Sequence, residues 1–329
     1  MSEWHKQVQL MVDEIDRCIK DKNDEALTLI RLAEKLNYSE YHLSRKFREV
    51  SGMTLREYLR QRRLAFALKA LRDTGRSILD IALDHGFSSH EAFTRAFRTA
   101  YGVTPAAYRK DPVPAALRTI IRPFDCYLCE NGGFRGNGGF LMNDTGKEVK
   151  TYFITILAHK FLYVMNYESI GYWDFWQKMA ALGQDCDKVC GLLDSIPGKL
   201  DDMGGSEENA SSGQLMAFLN TAEGRICSWG IPLAECYGVR LPAGYNGPVP
   251  EGMFLTDVAE GEYIVFEHGP FDYRTENGDV ERKIEAAMAS FDYDASGYAL
   301  DLTPGRFFYF YHDETRYWKY VRPVRKIHN

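Results

Sequence analysis

Apolar residues recur at helical spacing through the first third of the chain, and no alternating strand pattern interrupts them. Trp4, Val8, Met11, Ile15 and Ile19 share one face of a helix predicted from about Trp4 to Lys20. A second helix is expected over Leu29 to Leu36. Ser39 is a good N-cap for a third, to about Val50, which Gly52 closes. A long helix follows from about Leu55 to Leu71, ending near Gly75. Ser77 caps a short helix over Ile78 to His85, with Gly86 as the left-handed residue at its end. Ser88 is expected to cap a last helix running to Tyr101.

These helices contain a repeat. Tyr38-Ser39 matches Phe87-Ser88, and Leu43-Ser44-Arg45-Lys46-Phe47-Arg48 matches Phe93-Thr94-Arg95-Ala96-Phe97-Arg98. Gly52, Thr54 and Tyr58 match Gly102, Thr104 and Tyr108. The offset is 49 before the turn and 50 after it, so the second turn carries one inserted residue. Each copy is a short helix, a tight turn and a second helix with a basic outer face. That is a helix-turn-helix layout, whose second helix fits a DNA major groove about 12 Å wide.

Charge sharpens this picture. The chain is net −6, but residues 29–110 carry 16 Lys+Arg against 8 Asp+Glu, a net of +8. The chain after Lys110 carries 20 against 31, a net of −11. A basic module on an acidic protein implies a polyanionic partner for that module.

Over about residues 5–110 the pattern resembles the AraC/XylS family of transcription regulators. The most specific stretch is Ile81-Ala82, Gly86-Phe87-Ser88, Phe93 to Arg98 and Tyr101-Gly102-Val103-Thr104-Pro105-Ala106-Ala107-Tyr108-Arg109. The resemblance implies a monomeric module that sets two recognition helices in successive major grooves, about 34 Å apart. By that resemblance Glu40, Tyr41, Ser44 and Arg45 face bases from the first recognition helix, and His90, Glu91, Thr94 and Arg95 from the second. Arg45 and Arg95 are the leading candidates, because a guanidinium can bind guanine O6 and N7 bidentately. Arg48, Arg60, Arg62, Arg63 and Arg98 are assigned to phosphate contacts. Leu43, Phe47, Phe93 and Phe97 are assigned to the core.

Residues 111–150 read as a linker. They hold Pro112, Pro114, Pro123 and a glycine-rich run from Asn131 to Phe140, without the lysine or strand-to-helix setting of a phosphate-binding loop. Cys126 and Cys129 have the spacing of half a zinc site, but no second pair stands nearby, so neither metal nor cofactor is expected.

After Val149 short β-rich runs alternate with two helical ones. Strands are expected over Tyr152 to Leu157, Phe161 to Met165, Gln214 to Asn220, Arg225 to Trp229, Glu235 to Leu241, Tyr263 to His268, Tyr298 to Leu302, Arg306 to His312 and Tyr317 to Val324. Helices are expected over about Ser169 to Leu182 and Gly278 to Phe291. The predicted fold is multi-domain. An all-α double helix-turn-helix module (1–110) and a linker (111–150) precede an α+β domain of two pseudo-symmetric strand-helix-strand-strand units (151–329).

Gly261 to Pro270 and Tyr320-Val321-Arg322-Pro323-Val324 resemble the corresponding runs of GyrI-like effector-binding domains, most clearly over Val258 to Val324. The resemblance implies an aromatic cleft for a small organic molecule. Of 44 aromatics, 29 follow Val149, and Phe307 to Tyr311 is an unbroken aromatic run. Trp173, Trp176, Tyr263, Glu267, Tyr309, Tyr311 and Trp318 are the candidate effector contacts. Many relatives place Glu four residues before the final Pro, where this chain has Lys319, so the effector's charge stays open; Glu267, Asp313 or Glu314 are other sources of negative charge.

The expected function is a sequence-specific, DNA-binding transcription regulator responding to a small effector. Its partners would be double-stranded DNA, the effector and, for an activator, RNA polymerase; activation and repression both fit the residues. The alternative is a small-molecule hydrolase fused to the DNA-binding module, with Glu267, His268 and Tyr263 activating water. No apolar run is long enough to cross a membrane, no secretory leader is evident at the start, and the seven cysteines read as reduced thiols of a cytoplasmic protein.

Overall fold

The computed structural model describes residues 2–23, 27–36, 38–118, 149–200, 213–227, 230–271, 273–313 and 317–327. The chain divides into two compact units, Met1–Arg135 with Cys190–Ser195, and Gly136–Val189 with Ile196–Asn329.

Within the first unit the helical spacing folds into α1 (Ser2–Lys20), α2 (Leu29–Leu36), α3 (Glu40–Ser51), α4 (Leu55–Asp73), α5 (Ile78–Asp84), α6 (His90–Tyr101) and α7 (Pro105–Lys110). Two cores form, and α4 serves both. Its start, Leu55 and Tyr58, joins the α1 stripe, Leu32 and Ala33 of α2, and Leu43 and Phe47 of α3. Its second half, Leu64 to Leu71, joins Ile81 and Ala82 of α5, Phe93 and Phe97 of α6, and Tyr108 of α7. At 19 residues α4 is about 28 Å long, which lets one helix span two cores. Leu117 is buried in the second core, so packing in this unit extends past residue 110. Cys190–Ser195 also belongs here: Asp194 accepts from Lys69 Nζ at 2.8 Å, and the Ala115 N–H donates to Ser195 Oγ at 3.0 Å.

The repeat is realised in hydrogen bonds. The Tyr38 N–H donates to the Ala33 carbonyl, and the Phe87 N–H to the Ala82 carbonyl, an offset of 49. Ser39 caps α3 by accepting the His42 N–H, but α6 is capped by Ser89, which accepts the Ala92 N–H, an offset of 50. The expected cap at Ser88 is therefore corrected by one residue, and Ser88 is the insertion. Gly52 and Gly102 both close their helices at φ 75°, and Thr54 and Thr104 cap α4 and α7. The sequence reading did not foresee α7, whose Pro105 takes a first-turn position where it is tolerated.

The second unit is built on one antiparallel sheet of β1 (Lys150–Ile156), β2 (His159–Asn166), β3 (Gln214–Ile226), β4 (Pro232–Pro242), β5 (Phe254–Val258), β6 (Gly261–His268), β7 (Tyr298–Leu300), β8 (Phe307–Asp313) and β9 (Tyr317–Lys326). The order is β1-β6-β9-β8-β3-β4-β2-β5, with β7 added beside β9. Two expected strands merge into β3, which continues through an irregularity between Asn220 and Arg225. There Gly224 lies so close to the Leu233 backbone that a Cβ would clash at 2.4 Å. Helices α8 (Tyr172–Ala181), α9 (Cys186–Ser195), α10 (Tyr273–Ser290) and α11 (Tyr293–Ser296) complete the elements, α9, α11 and β5 being unforeseen.

The sheet's two faces differ. Phe161, Tyr163, Leu215, Ala217, Tyr263, Val265, Phe307, Tyr309 and Val321 make a core drawn from strands alone, as a curled sheet can. The opposite face carries α8 on β2 and α10 on β6 and β9. The aromatic run splits by strand alternation. Phe307 and Tyr309 enter the strand-only core, whereas Phe308 packs with Ile231 and Leu233, and Phe310 stacks on Tyr320 at 4.8 Å.

Candidate nucleic-acid interface and aromatic row

The two second helices of the repeat present the same surface. Along Tyr41–Glu49 and Glu91–Thr99 the sequence of exposed, half-buried and buried positions is identical, residue for residue. Leu43 and Phe47, like Phe93 and Phe97, anchor the inner side. Glu40, Tyr41, Arg45, His90, Glu91 and Arg95 are exposed, and Ser44 and Thr94 are half-buried. Positions 40, 41, 44 and 45, and their counterparts at 90, 91, 94 and 95, each fall on one helical face. Tyr41 is 76% exposed, a large apolar ring left in water at the start of α3.

Charge is handled differently on the two helices. Arg45 lies 3.3 Å from Glu49, which Lys46 also contacts at 2.7 Å. Chiefly through the Lys46 hydrogen bond, the Glu49 carboxyl is held below its ordinary range. The equivalent of Glu49 is Thr99, whose hydroxyl bonds the Arg95 carbonyl. Among the described residues no carboxylate stands at ion-pair distance from Arg95. Glu91 is held low by its own backbone N–H and the Ser89 hydroxyl, then by His90 and Arg95.

Of the five phosphate candidates, Arg48 and Arg98 are exposed at matching places. Arg60 is exposed and paired with Glu57 at 2.9 Å, and Arg63 is half-buried. Arg62 is a correction. It is buried, clasps both Asp16 carboxylate oxygens and donates to the Arg118 carbonyl, so it braces α4 against α1 rather than meeting a phosphate.

The seven candidate effector contacts do not form one cluster. Tyr263 and Tyr309 are sealed in the strand-only core with rings 6.1 Å apart, and strand alternation puts Glu267 and Tyr311 on that same side. Glu267 is already neutralised: Lys319 sits 3.0 Å away and Tyr152 donates to it at 2.6 Å. Burial raises its carboxyl, but those two hydrogen bonds outweigh it and the net shift is downward. Trp173, Trp176 and Trp318 belong to the helix-bearing side. Glu267 and His268 are strand neighbours and point to opposite faces, so one water is not within reach of both.

On the helix-bearing side an aromatic row runs over the central strands. Tyr237, Met216, Phe310 and Tyr320 are register neighbours across β4, β3, β8 and β9. From α8, Trp176 meets Tyr237 at 4.9 Å and Tyr172 meets it at 6.3 Å; Trp318 meets Phe310 at 5.1 Å. Burial, then the carboxylates Glu281, Glu285 and Glu235, push the Tyr320 hydroxyl upward. Burial, then Glu285, raises Glu281. These acids, with Tyr172, Tyr237, Phe310 and Tyr320, were not singled out from the sequence. Glu235 and Tyr237, two apart in an expected strand, were the available signal.

Among the described residues no group of three or more His, Cys, Asp or Glu is placed to hold a metal ion. Cys126, Cys129, Glu314 and the glycine-rich run lie outside the described residues. Among the described residues no helix is long and apolar enough to cross a membrane.

Two helix-turn-helix units with matching serine caps, buried anchors and outer-face exposure define the first unit as a double helix-turn-helix module. The helix-turn-helix domain family matches residues 32–111. The regulatory protein SoxS of Salmonella typhimurium is 43% identical over 106 residues, 32% of this chain and 95% of SoxS. The chain belongs to the AraC-type helix-turn-helix family. The right origin-binding protein of Escherichia coli is 47% identical over 100 residues, 30% of this chain, and the match spans 34% of that relative. The solved DNA-binding domain of AdpA in complex with a target DNA is 27% identical, covering 28% of this chain and 89% of that one, with a TM-score of 0.25.

Proposed function

We propose that the protein is a sequence-specific transcription regulator that reads double-stranded DNA with α3 and α6. The observation that carries this reading is the identical exposure pattern of the two helices, each set by a serine cap, two buried aromatic or aliphatic anchors and a left-handed glycine. Arg45 and Arg95 read bases, with Glu40, Tyr41, Ser44, His90, Glu91 and Thr94 beside them, while Arg48, Arg60, Arg63 and Arg98 hold phosphates. Residues beyond about 150 form a GyrI-like domain that binds a small organic effector and biases DNA docking. The palindromic strand order supports two pseudo-symmetric halves, β2 to β4 and β6 to β9, with β5 and β1 exchanged as outer strands. The protein acts in the cytoplasm and engages RNA polymerase where it activates.

Selection from random duplexes by the full chain tests the reading. Enrichment of a bipartite site with halves one helical turn apart is expected, and failure to enrich any sequence would overturn it.

A further inference from the structure

Two residues of the helical module break local rules, and they meet. After α1 the Asn23 N–H donates to the Cys18 carbonyl at 2.9 Å and the Lys22 N–H to the Ile19 carbonyl at 3.2 Å. That pair of bonds sets residue 22 in left-handed backbone, a seat that glycine usually takes. α5 ends in the same two bonds, from Phe87 to Ala82 and from Gly86 to Leu83, with Gly86 in the seat at φ 72°. α1 puts Lys22 there at φ 55°, and among the described residues no other non-glycine has a positive φ. Left-handed backbone costs a residue with a Cβ energy that glycine avoids. Asp84 is the second exception. It is the last residue of α5, where the helix dipole disfavours a carboxylate. Its counterpart in the first copy, 49 residues earlier, is Lys35, which suits the dipole and contacts Glu14 of α1 at 2.8 Å. Lys22 Nζ lies 2.6 Å from the Asp84 carboxylate, and Arg76 contacts the same carboxylate at 2.5 Å.

Those two departures join parts that are otherwise built separately. α3 is anchored by Leu43 and Phe47 in the core that holds the α1 stripe, and α6 by Phe93 and Phe97 in the core that holds α5. α4 connects the two cores, and a helix acting alone can bend. The Lys22–Asp84 pair runs directly from the end of α1 to the end of α5 and gives the cores a second attachment. We propose that Lys22, acting through Asp84, fixes the separation and angle of α3 and α6 and so sets the base-pair spacing between the two halves of the operator. This rests on reading α3 and α6 as the base-reading helices, and adds a positioning residue outside the base-reading set. One base pair more or less between the halves turns one half-site by about 34° and moves it by about 3.4 Å relative to the other. A module held at two points resists following that change, whereas one held by α4 alone follows it by bending. The Lys22 and Asp84 side chains are 53% and 23% exposed, so water and salt weaken the tie, and its effect is a graded preference for one spacing.

The test titrates the full chain by gel shift, at one fixed salt concentration, against its selected duplex and against versions with one base pair added or removed between the half-sites. For the unaltered protein both changes should weaken binding. Lys22→Gly removes the ammonium and the backbone strain together, and Asp84→Asn removes the carboxylate while leaving the end of α1 as it is. Each should shrink the spacing penalty about two- to threefold. Lys22→Arg keeps a cation on the same left-handed backbone and should retain the penalty. A penalty unmoved by both Lys22→Gly and Asp84→Asn, including an equal loss of affinity on all three duplexes, overturns the inference and leaves the two base-reading helices standing. Indifference of the unaltered protein to spacing overturns the bipartite reading and this inference together.

Discussion

Arg95→Ala is the substitution whose cost follows most directly from the geometry. A bidentate guanidinium on guanine discriminates by about 1–3 kcal/mol, roughly 5- to 150-fold in affinity. Arg45 occupies the equivalent place on α3 but starts from a contact with Glu49 at 3.3 Å. An exposed pair one helical turn apart is worth about 0.3–0.5 kcal/mol, and reaching DNA gives that up. Arg95 has Thr99 where Arg45 has Glu49, so it gives up nothing comparable. Arg95→Ala should therefore cost more than Arg45→Ala by about 0.3–0.5 kcal/mol, about twofold, and relax one base position in the half-site read by α6. Glu49→Ala should tighten binding, since it releases Arg45 and removes a negative charge from the DNA-facing helix. Gel-shift titrations at one fixed salt concentration, on the selected site and its single-base variants, measure all three. Unchanged affinity and base preference for Arg95→Ala, or a larger loss for Arg45→Ala, would refute the reasoning.

Other expectations follow from the same surfaces. Ser89→Ala should destabilise the first unit by about 1 kcal/mol and Ser88→Ala by much less, read as thermal midpoints; equal effects would contradict the cap assignment. Asp16→Ala leaves the Arg62 guanidinium buried and unmatched and should cost about 3–5 kcal/mol in denaturant unfolding, without altering site preference of the folded protein. Arg98→Ala should weaken binding to all sequences alike and flatten the salt dependence of log affinity by about 0.9, one phosphate contact; an unchanged slope would remove Arg98 from the backbone contacts. Glu14 is held down to about 2, first by Arg17 and then by Lys35, and Asp84 is held down to about 2 by Arg76 and Lys22. Both carboxyls lie below their unfolded values, so their contribution is complete above about pH 4.5 and is lost as pH falls towards 2. Lys35→Met and Lys22→Met should each make acid unfolding less steep in that window, and an unchanged acid transition would show the pairs to be inert.

The helical module was readable because its determinants are local. Caps, closing glycines and apolar spacing act within a turn or two, and the duplication states each of them twice. Ser88 stood in for Ser89 because two adjacent serines are equally able to cap and only the turn geometry separates them. Arg62 was misassigned for the opposite reason: its partner Asp16 is 46 residues away, and no local pattern marks that pairing. In the second unit strand identity was largely visible, but the face each strand turns inward is set by register with distant strands. That is why Tyr263, Tyr309 and Glu267 were grouped with Trp176 and Trp318, although the sheet separates them. It is also why Glu235 passed unnoticed, since an acid in a strand reads as solvated until the neighbouring strands and α8 are placed over it.

Hydroxyl-radical footprinting of the full chain on its selected duplex tests the central claim most directly, that α3 and α6 read one DNA face together. Two protected patches about 10–10.5 base pairs apart, both present at the stoichiometry of one chain per duplex, are predicted, with Arg45→Ala and Arg95→Ala each weakening a different patch. A single patch, or two that appear only when a second chain binds, would contradict it.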